Sequence, residues 1–456
     1  MVQNAENYLN KKIKKLVITV PAYFNEDQKK MTQQAAEMLN LQVIKIINEP
    51  TSAALAYGFT EENVENKKIL VFDLGGGTFD VSILSIEKEK NDKNEEVKHL
   101  MALSISGDMH LGGEDFDDAL ADYIISKQKN LKDIRKNSQA MKKLKVACEN
   151  AKKILSVSDE TILRINDLIN NIDIYEKITR QEFEQTCDPL FKKLEIPINT
   201  ALSNKNLVRD DINEVILIGG STRMPKIKEL INNFFKNKVK INDSINADEA
   251  VAYGATLQAE KLLYNRDKNI SNFHILDITP FSLGVCVLNQ SQDQEILKEG
   301  DEMSVIIPRG SNLPAFGYGD YVTVYDNQTA VNLKIYEGEK KYVKYNHLIK
   351  ETRIEGLSPK PKGKTKIYVE FKIDINGILF VKAIEKSEKD GKTINLTIKN
   401  DEVSFSEEEM NKLKKSMEEM TKKIINKKLK KDLDYTNLKD TLKKYRDAYN
   451  ECGEDE

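Results

Sequence analysis

Residues 73–80 (DLGGGTFD) carry side chains and backbone suited to holding a phosphate group. Three successive glycines let the backbone approach an anion closely and turn its N–H groups towards it. Thr78 adds a hydroxyl, and the flanking Asp73 and Asp80 could hold water on Mg²⁺ without touching phosphate directly. A plain β-hairpin with surface acids is the alternative interpretation. The two acids at these positions favour phosphate binding.

A second glycine turn follows at residues 218–227 (IGGSTRMPKI). A buried strand ends in Gly219 and Gly220, Ser221 or Thr222 can cap a helix, and Pro225 fits that helix's first turn. Nucleotides commonly lie against glycines at this place in an α/β sheet. A tight strand-to-helix turn without a ligand is the alternative.

Four polar residues, Glu149, Lys152, Lys153 and Ser156, recur at the spacing that places them on one helix face. Such a face could line a ligand site, although an exposed Glu–Lys pair four residues apart explains it equally well. Glu49 ends a predicted strand and could orient a water molecule or a metal; an exposed helix cap is the competing interpretation.

The elements that would position these residues alternate between strand and helix as far as about Lys268, which is typical of an α/β domain. From there to Asn400 the chain alternates apolar and polar residues in short runs with turns, and Asn376-Gly377 is a strong hairpin signal. After Ser406, apolar residues recur at three and four residues, which indicates amphipathic helices. A charged stretch from Glu87 to Leu100 is predicted to be a flexible insertion.

The composition excludes several classes of protein. The 456 residues exceed one ordinary core, and 70 Lys and Arg against 73 Asp and Glu give a net charge of −3, so no basic field points to nucleic acid. No run reaches the ~20 apolar residues of a membrane span. The four cysteines lie far apart, which indicates neither a zinc site nor a disulfide framework.

Together these segments resemble a known family. VPAYFNEDQ, INEPTSAALAYG, VFDLGGGTFDVS, GDMHLGGEDFD, IGGSTRMPKI and DEAVAYGATLQA are similar to the nucleotide-binding domain of the seventy-kilodalton heat-shock chaperones. ILDITPFSLG, YDNQTAVNLKIYEGE and FKIDINGILFVKA resemble the peptide-binding β-domain of the same family. The segments follow the family's order over nearly the whole chain.

The resemblance implies an actin-like (ribonuclease H-like) α/β nucleotide-binding domain over residues 1–268, incomplete at its N-terminus. A linker would follow at 269–277, an all-β sandwich peptide-binding domain at 278–403 and a short helical lid at 404–456. The implied activity is that of an ATPase in which ATP binding loosens the grip on peptide and hydrolysis tightens it. The implied cofactors are ATP or ADP with Mg²⁺.

The resemblance also implies residue roles in nucleotide binding. Asp73, Asp80 and Glu49 would position Mg²⁺ and the attacking water. The β- and γ-phosphates would bind at Gly75, Gly76, Gly77 and Thr78. The adenosine would meet Glu149, Lys152, Lys153 and Ser156 on one side and Gly219, Gly220, Ser221, Arg223 and Asp248 on the other. Lys153 stands where the family often has Arg, which can stack on adenine, so we expect a weaker adenine contact.

The family's peptide channel falls on Val285, Val287, Leu288, Tyr321, Val324, Val331 and Leu333. An extended peptide would satisfy its main chain on the sheet and place side chains in pockets. These apolar residues could equally be sandwich core. The loop at 290–302 and PAFGYGDY differ from the family, so substrate preference cannot be inferred from the resemblance. The linker FHILD is more polar than in the family, so we expect weaker docking of the linker between the domains.

The family's first glycine hairpin and its Lys at the γ-phosphate are missing, with roughly the first third of that domain. We therefore expect poor ATP hydrolysis, because charge at the transferring phosphate supplies much of the catalysis. A nucleotide-independent holder of unfolded chains, or an incomplete gene-model fragment of a full-length chaperone, is the alternative; a kinase of the actin-like group is disfavoured by the β-domain.

The expected partners are unfolded or extended hydrophobic polypeptides, with J-domain co-chaperones and nucleotide exchange factors by resemblance. Neither nucleic acid nor a membrane is expected as a partner. The absence of targeting signals makes the cytosol the expected compartment.

Overall fold

The structure, a computed structural model, describes residues 2–61, 66–90, 94–128, 131, 134–169, 172–242, 245–264, 272–288, 300–386 and 396–398. The predicted lid at 404–456, with its amphipathic repeat, lies outside the described residues.

Helices and strands alternate in the first part of the chain. The helices are α1 (Val2–Leu9), α2 (Glu26–Glu37), α3 (Glu49–Thr60), α4 (Gly113–Lys127), α5 (Ser138–Leu155), α6 (Arg180–Thr186), α7 (Asp188–Lys193), α8 (Glu195–Ser203), α9 (Pro225–Phe234) and α10 (Ala250–Leu263). The strands are β1 (Lys15–Val20), β2 (Gln42–Asn48), β3 (Lys67–Leu74), β4 (Phe79–Lys90), β5 (Glu96–Asp108), β6 (Glu160–Ile169), β7 (Ile172–Thr179), β8 (Glu214–Ile218), β9 (Lys240–Asn242) and β10 (Phe273–Leu276).

A six-stranded mixed sheet in the order β10-β5-β4-β3-β8-β9 forms the centre of this part. β3 and β4 are antiparallel neighbours joined across the glycine turn, whereas β3 and β8 run parallel. Two hydrophobic clusters include residues of this sheet, one with α4–α9 and one with α3 and α10. Because β3 and β8 are parallel neighbours, both predicted glycine turns leave the sheet at the same edge.

The second part of the chain forms two four-stranded antiparallel sheets, β12-β11-β14-β15 and β13-β16-β17-β18. Their strands are β11 (Leu283–Val287), β12 (Glu302–Ile307), β13 (Ala315–Val322), β14 (Ala330–Glu337), β15 (His347–Glu355), β16 (Lys366–Ile373), β17 (Leu379–Lys386) and β18 (Leu396–Ile398). Side chains of both sheets build one hydrophobic cluster. The predicted turn at Asn376-Gly377 joins β16 to β17, with Gly377 at a φ of 80°.

One segment differs from the sequence-based expectation. The charged stretch predicted as a flexible insertion instead extends the β4–β5 hairpin, with Lys90 opposite Glu96. Strand pairing uses the backbone, so charged side chains on an exposed hairpin do not prevent it. PAFGYGDY is strand β13, in which Gly317 faces β12; a Cβ there would lie 2.5 Å from the Ile306 carbonyl oxygen.

Among the described helices, none combines the length and apolarity that crossing a bilayer would require.

Helix α2 contacts the second part of the chain through buried charged groups. Glu26 accepts a hydrogen bond from Leu379 N at 3.2 Å and lies 3.5 Å from the Lys29 ammonium. The same small pocket is lined by Glu337 of β14, which is 4% exposed. His347 lies 3.0 Å from Asp27 and 3.8 Å from Glu337. Burial, followed by the charge of Glu26, raises the pKa of Glu337 to about 8.

Replacing Glu337 by Gln is therefore expected to stabilise the protein in alkali. Because the pKa of Glu337 is raised in the folded protein, its contribution to the free energy of unfolding is fully present below the ordinary pKa of 4.5. That contribution is lost as the pH rises through about 8. We expect Glu337→Gln to raise the free energy of unfolding by about 2 kcal/mol at pH 8.5 and by little at pH 5. Urea denaturation at the two pH values measures this.

The matched control is Glu355→Gln, on the neighbouring strand β15, whose carboxylate is 71% exposed in its ion pair with Arg353. It should change stability by less than about 0.5 kcal/mol at either pH. Equal effects of the two variants would show that ionisation of the buried Glu337 does not lower the free energy of unfolding.

Candidate functional site

A cleft of about 990 Å³ opens where the two glycine turns meet α4 and α5. That volume is within the range of small-molecule sites. Its lining includes most of the residues that the sequence analysis assigned to a nucleotide. These are Gly75, Gly76, Glu149, Lys152, Lys153, Ser156, Gly220, Ser221, Arg223 and Asp248.

The first glycine turn is held from both sides. Gly75 donates its N–H to the Thr78 carbonyl at 3.1 Å and accepts from Gly113 N at 2.9 Å and from Ser221 Oγ at 2.8 Å. Glu114 N donates to the Gly76 carbonyl at 2.7 Å. At Gly76 and Gly77 no atom lies within 4 Å of where a side chain would begin. The turn is therefore anchored by α4 and the second turn and keeps an open face.

The second glycine turn depends on close backbone approach. Gly219 has a φ of 84°, and a Cβ there would lie 2.3 Å from the Leu74 carbonyl oxygen. Residues 220–223 form a short 3-10 helix, and α9 begins at Pro225, which lies in its first turn as predicted. The predicted cap is wrong, because the intervening 3-10 helix places Met224, and neither Ser221 nor Thr222, at the N-cap of α9. The Thr222 hydroxyl donates to the Gly219 carbonyl at 2.7 Å, and the Ser221 hydroxyl donates to the Gly75 carbonyl of the first turn. The two turns thus pack directly on each other.

Three carboxylates act on one another beneath the first turn. Asp73 and Asp80 are paired residues of β3 and β4, and both are buried. Burial, then the charges of Glu49 and Asp80, raises the pKa of Asp73 well above its ordinary value. Burial and Glu49 raise the pKa of Asp80 to about 7, although Ala22 N donates to it at 3.2 Å. Burial also raises the pKa of Glu49, the first residue of α3. The site has excess negative charge.

The four residues predicted to share one face of α5 differ in their burial. Lys152 is 7% exposed and donates to the Gly113 carbonyl at 2.7 Å and to Asp117 at 2.8 Å. Glu149 and Lys153 form a 2.6 Å ion pair with side chains 44% and 66% exposed. Ser156 Oγ donates to the Lys152 carbonyl at the end of the helix. The four residues therefore share one region of the helix surface, but part of that region is buried and part is exposed.

Arg223 and Asp248 close the opposite side of the cleft. Their side chains form a 2.6 Å ion pair and both are more than half exposed. Asn246 also accepts from Arg223, at 3.3 Å. Both charged groups remain accessible to a ligand.

Sequence reasoning assigned no role to Gly113 and Asp117, which the structure brings to the cleft beside Lys152. A Cβ at Gly113 would lie 2.4 Å from Ser221 Oγ and 3.0 Å from Lys152 Nζ. The segment GDMHLGGEDFD was recognised by its resemblance, and its paired glycines before two acids were the available signal.

The residues expected to line a peptide channel fall into three environments. Val285 and Leu333 are buried in the cluster shared by the two sheets. Three others are partly buried against that cluster: Val287, Tyr321 and Val331. Tyr321 donates its hydroxyl to Ser304 at 3.1 Å. Val324 is half-buried, and Leu288 is 46% exposed. The core interpretation therefore fits Val285 and Leu333, and the remaining five lie at the margin of the core.

Comparison with known proteins gives one consistent result. The sequence profile described as Hsp70 protein matches residues 1–455. The "Heat shock 70 kDa protein" of Neurospora crassa is 41% identical over 416 residues, which is 91% of this chain and 61% of the relative. The "Heat shock cognate 70 kDa protein 3" of Dictyostelium discoideum is 41% identical over 417 residues, covering 91% of this chain and 62% of the relative. The "Heat shock 70 kDa protein BIP3" of Oryza sativa subsp. japonica is 37% identical over 421 residues, 92% of this chain and 60% of the relative.

The chain spans about three fifths of the length of these curated relatives. The resemblance read from the sequence motifs is confirmed: this chain belongs to the Hsp70 family of heat-shock chaperones.

Proposed function

We propose that this chain binds ATP or ADP in the cleft between the two glycine turns and binds exposed hydrophobic segments of unfolded polypeptides to assist their folding. The observation that carries the nucleotide assignment is the cleft itself. It joins an open glycine turn, which offers backbone N–H groups, to a wall bearing Lys153 and Arg223. Backbone N–H groups are a usual means of holding phosphates, and the two cations would lie beside the adenosine.

The carboxylates beneath the turn fit a divalent cation. The charges of Glu49 and Asp80 raise the pKa of Asp73, and that of Glu49 raises the pKa of Asp80, so an added cation would relieve this repulsion. Within the described ranges, no three such side chains come close enough to ligate a metal directly. These three residues would therefore hold Mg²⁺ through water, and the ion would supply charge neutralisation at the phosphates.

We further propose that this polypeptide hydrolyses ATP slowly. The groups that act on Asp73 and Asp80 are carboxylates, which favour binding of a cation but do not stabilise negative charge on a transferring phosphate, and the Ala22 N–H, which donates to Asp80. Replacing Thr78 by Ala should then change steady-state turnover little, because the starting rate is low. A robust rate that Thr78→Ala abolishes would contradict this proposal.

We assign peptide binding to the margin of the hydrophobic cluster that the two four-stranded sheets share. Val287, Tyr321 and Val331 offer apolar surface that the core does not cover completely, next to the exposed Leu288. An extended chain could place side chains against this surface. Fluorescence anisotropy of a labelled hydrophobic peptide measures binding, and Leu288→Asp should weaken it severalfold.

The decisive experiment is a calorimetric titration with Mg-ADP, comparing Lys153→Ala with Lys177→Ala. Both lysines are exposed and paired with a glutamate, but Lys177 lies on β7 outside the cleft lining. We expect micromolar binding that Lys153→Ala weakens about threefold, as loss of a cation beside an aromatic base predicts. Lys177→Ala should bind as the parent does.

The other outcomes separate the alternatives. No detectable heat from a folded chain, with peptide binding retained, would favour a nucleotide-independent holder. Loss of both activities would contradict the proposed function. J-domain co-chaperones and nucleotide exchange factors as partners, and the cytosol as compartment, are part of the same proposal and follow from family membership alone.

A further inference from the structure

Strand β10 lies at the edge of the six-stranded sheet and carries the segment between the two parts of the chain. It pairs in parallel with β5, with Phe273 opposite Lys98 and His274 opposite His99. Phe273 is 1% exposed and packs into the core, whereas His274 points outwards. Lys261 of α10 donates to the Phe273 carbonyl, and Lys98 N donates to the Asn272 carbonyl at 2.8 Å. The polar linker is thus docked, contrary to the expectation from its sequence.

The two histidines are in direct contact. Their ring centroids are 5.1 Å apart and the rings meet edge to face at 84°. His99 Nε2 lies 2.8 Å from a Glu89 carboxylate oxygen on β4. Each ring belongs to a different element, one to the linker strand and one to the sheet edge that receives it. Any repulsion between them therefore acts across the docking contact.

We propose that this histidine pair makes docking of the linker strand sensitive to acid. Protonation of both rings would place two positive charges about 5 Å apart, where repulsion is substantial at a partly buried surface. Release of β10 separates the rings and removes that repulsion. Acid should therefore favour the released strand.

The nearby cations act in the same direction, and nearby acids oppose them. Burial, followed by the charges of Lys261 and His99, lowers the pKa of His274 below its ordinary value of 6.5. Lys98 on β5 adds a further cation near the strand. Glu89 opposes them, because its charge raises the pKa of His274. Glu87, directly opposite His99 on β4, is a second acid on this surface.

The sign of the pH dependence follows from linkage. The pKa of His274 is lower in the docked strand than in the free segment, so docking is fully favoured above about pH 6.5. It is progressively lost as the pH falls from 6.5 through the depressed value. One proton taken up on release changes the opening equilibrium by up to about tenfold for each pH unit.

Hydrogen–deuterium exchange of the full chain tests this proposal without nucleotide or peptide, and so independently of the proposed chaperone function. Protection of the β10 amides, corrected for intrinsic exchange rates, is measured at pD 7.5 and 5.5. We expect up to about a tenfold loss of protection in β10 at pD 5.5, while residues 81–86 in the sheet centre keep theirs. His274→Gln should keep β10 protected at both values, and His99→Gln should reduce the loss at pD 5.5, since burial and Lys261 still lower the pKa of His274.

The matched control is His110→Gln, since His110 is exposed and lies after β5, away from β10. It should retain the parent's acid sensitivity. The proposal is overturned if parent β10 is equally protected at both pD values, if either Gln variant keeps the full acid sensitivity, or if residues 81–86 lose protection to the same extent as β10.

Discussion

Replacing Gly254 by Ala is expected to destabilise the protein by about 3 kcal/mol, although alanine is the better helix former. Gly254 lies in α10 where that helix crosses α3. A Cβ there would lie 1.8 Å from the Ser52 carbonyl oxygen and 2.5 Å from its carbonyl carbon. Because the clash is with backbone, no side-chain rotation relieves it, and the helices must move apart. That movement would also strain the 2.7 Å hydrogen bond from Ser52 Oγ to the Val251 carbonyl.

Urea denaturation followed by far-ultraviolet circular dichroism measures the effect. The control is Gly76→Ala, the same chemical change at a position where a Cβ meets nothing within 4 Å. It should alter the free energy of unfolding by less than about 1 kcal/mol. If Gly254→Ala were as stable as the parent, the close crossing of α3 and α10 would be wrong.

The crossing also shows what the sequence could and could not predict. An Ala-rich run follows Pro50 and small residues follow Asp248, which predicts a helix at each place, and both helices form. Small residues allow close approach but do not name the partner. The contact between Gly254 and Ser52 joins positions about 200 residues apart, so only the folded chain brings them together.

The linker illustrates a different limit. The linker FHILD is more polar than the matching segment of the family, which made weaker docking the expectation. Strand pairing depends on backbone groups, and alternation turns Phe273 inwards and His274 outwards. One buried aromatic side chain and the backbone hydrogen bonds are sufficient for the segment to pair.

In the site, residue types and local spacing predicted the two glycine turns and the acids around them. Spacing placed Lys152 and Lys153 on one helix face and did not show which of them is buried. Neighbouring residues on a helix differ in direction by about 100°, so the two side chains can reach different surroundings. Lys152 turns towards α4, where it meets Asp117, whereas Lys153 turns to solvent. The difference depends on the position of α4, which the sequence of α5 does not contain.

Replacing Asp117 by Asn is expected to cost about 3 kcal/mol, because it leaves the buried Lys152 ammonium without a counter-charge. Both residues are 7% exposed, and the ammonium also donates to the Gly113 carbonyl at 2.7 Å. Burial raises the pKa of Asp117, and Lys152 opposes that rise. The Asp117 carboxylate therefore depends on Lys152 to remain charged inside the protein.

A double-mutant cycle with Lys152→Met separates this coupling from general damage to the core. The variant carrying both changes should lose less stability than the two single losses added together, since neither charge is then left alone. Glu149→Gln, which breaks the exposed ion pair one turn away, should cost less than about 0.5 kcal/mol. Strictly additive losses would show that Asp117 and Lys152 do not stabilise each other.

The same variants connect this pair to the cleft. Because Asp117 holds Lys152 against the start of α4, and α4 anchors the first glycine turn through Gly113 and Glu114, release of Lys152 should loosen that turn. Mg-ADP titration of Asp117→Asn, at a temperature where it remains folded, should then show weaker binding than Glu149→Gln produces. Unchanged affinity would mean that the turn is held by its backbone hydrogen bonds alone, and that the buried pair serves stability without shaping the site.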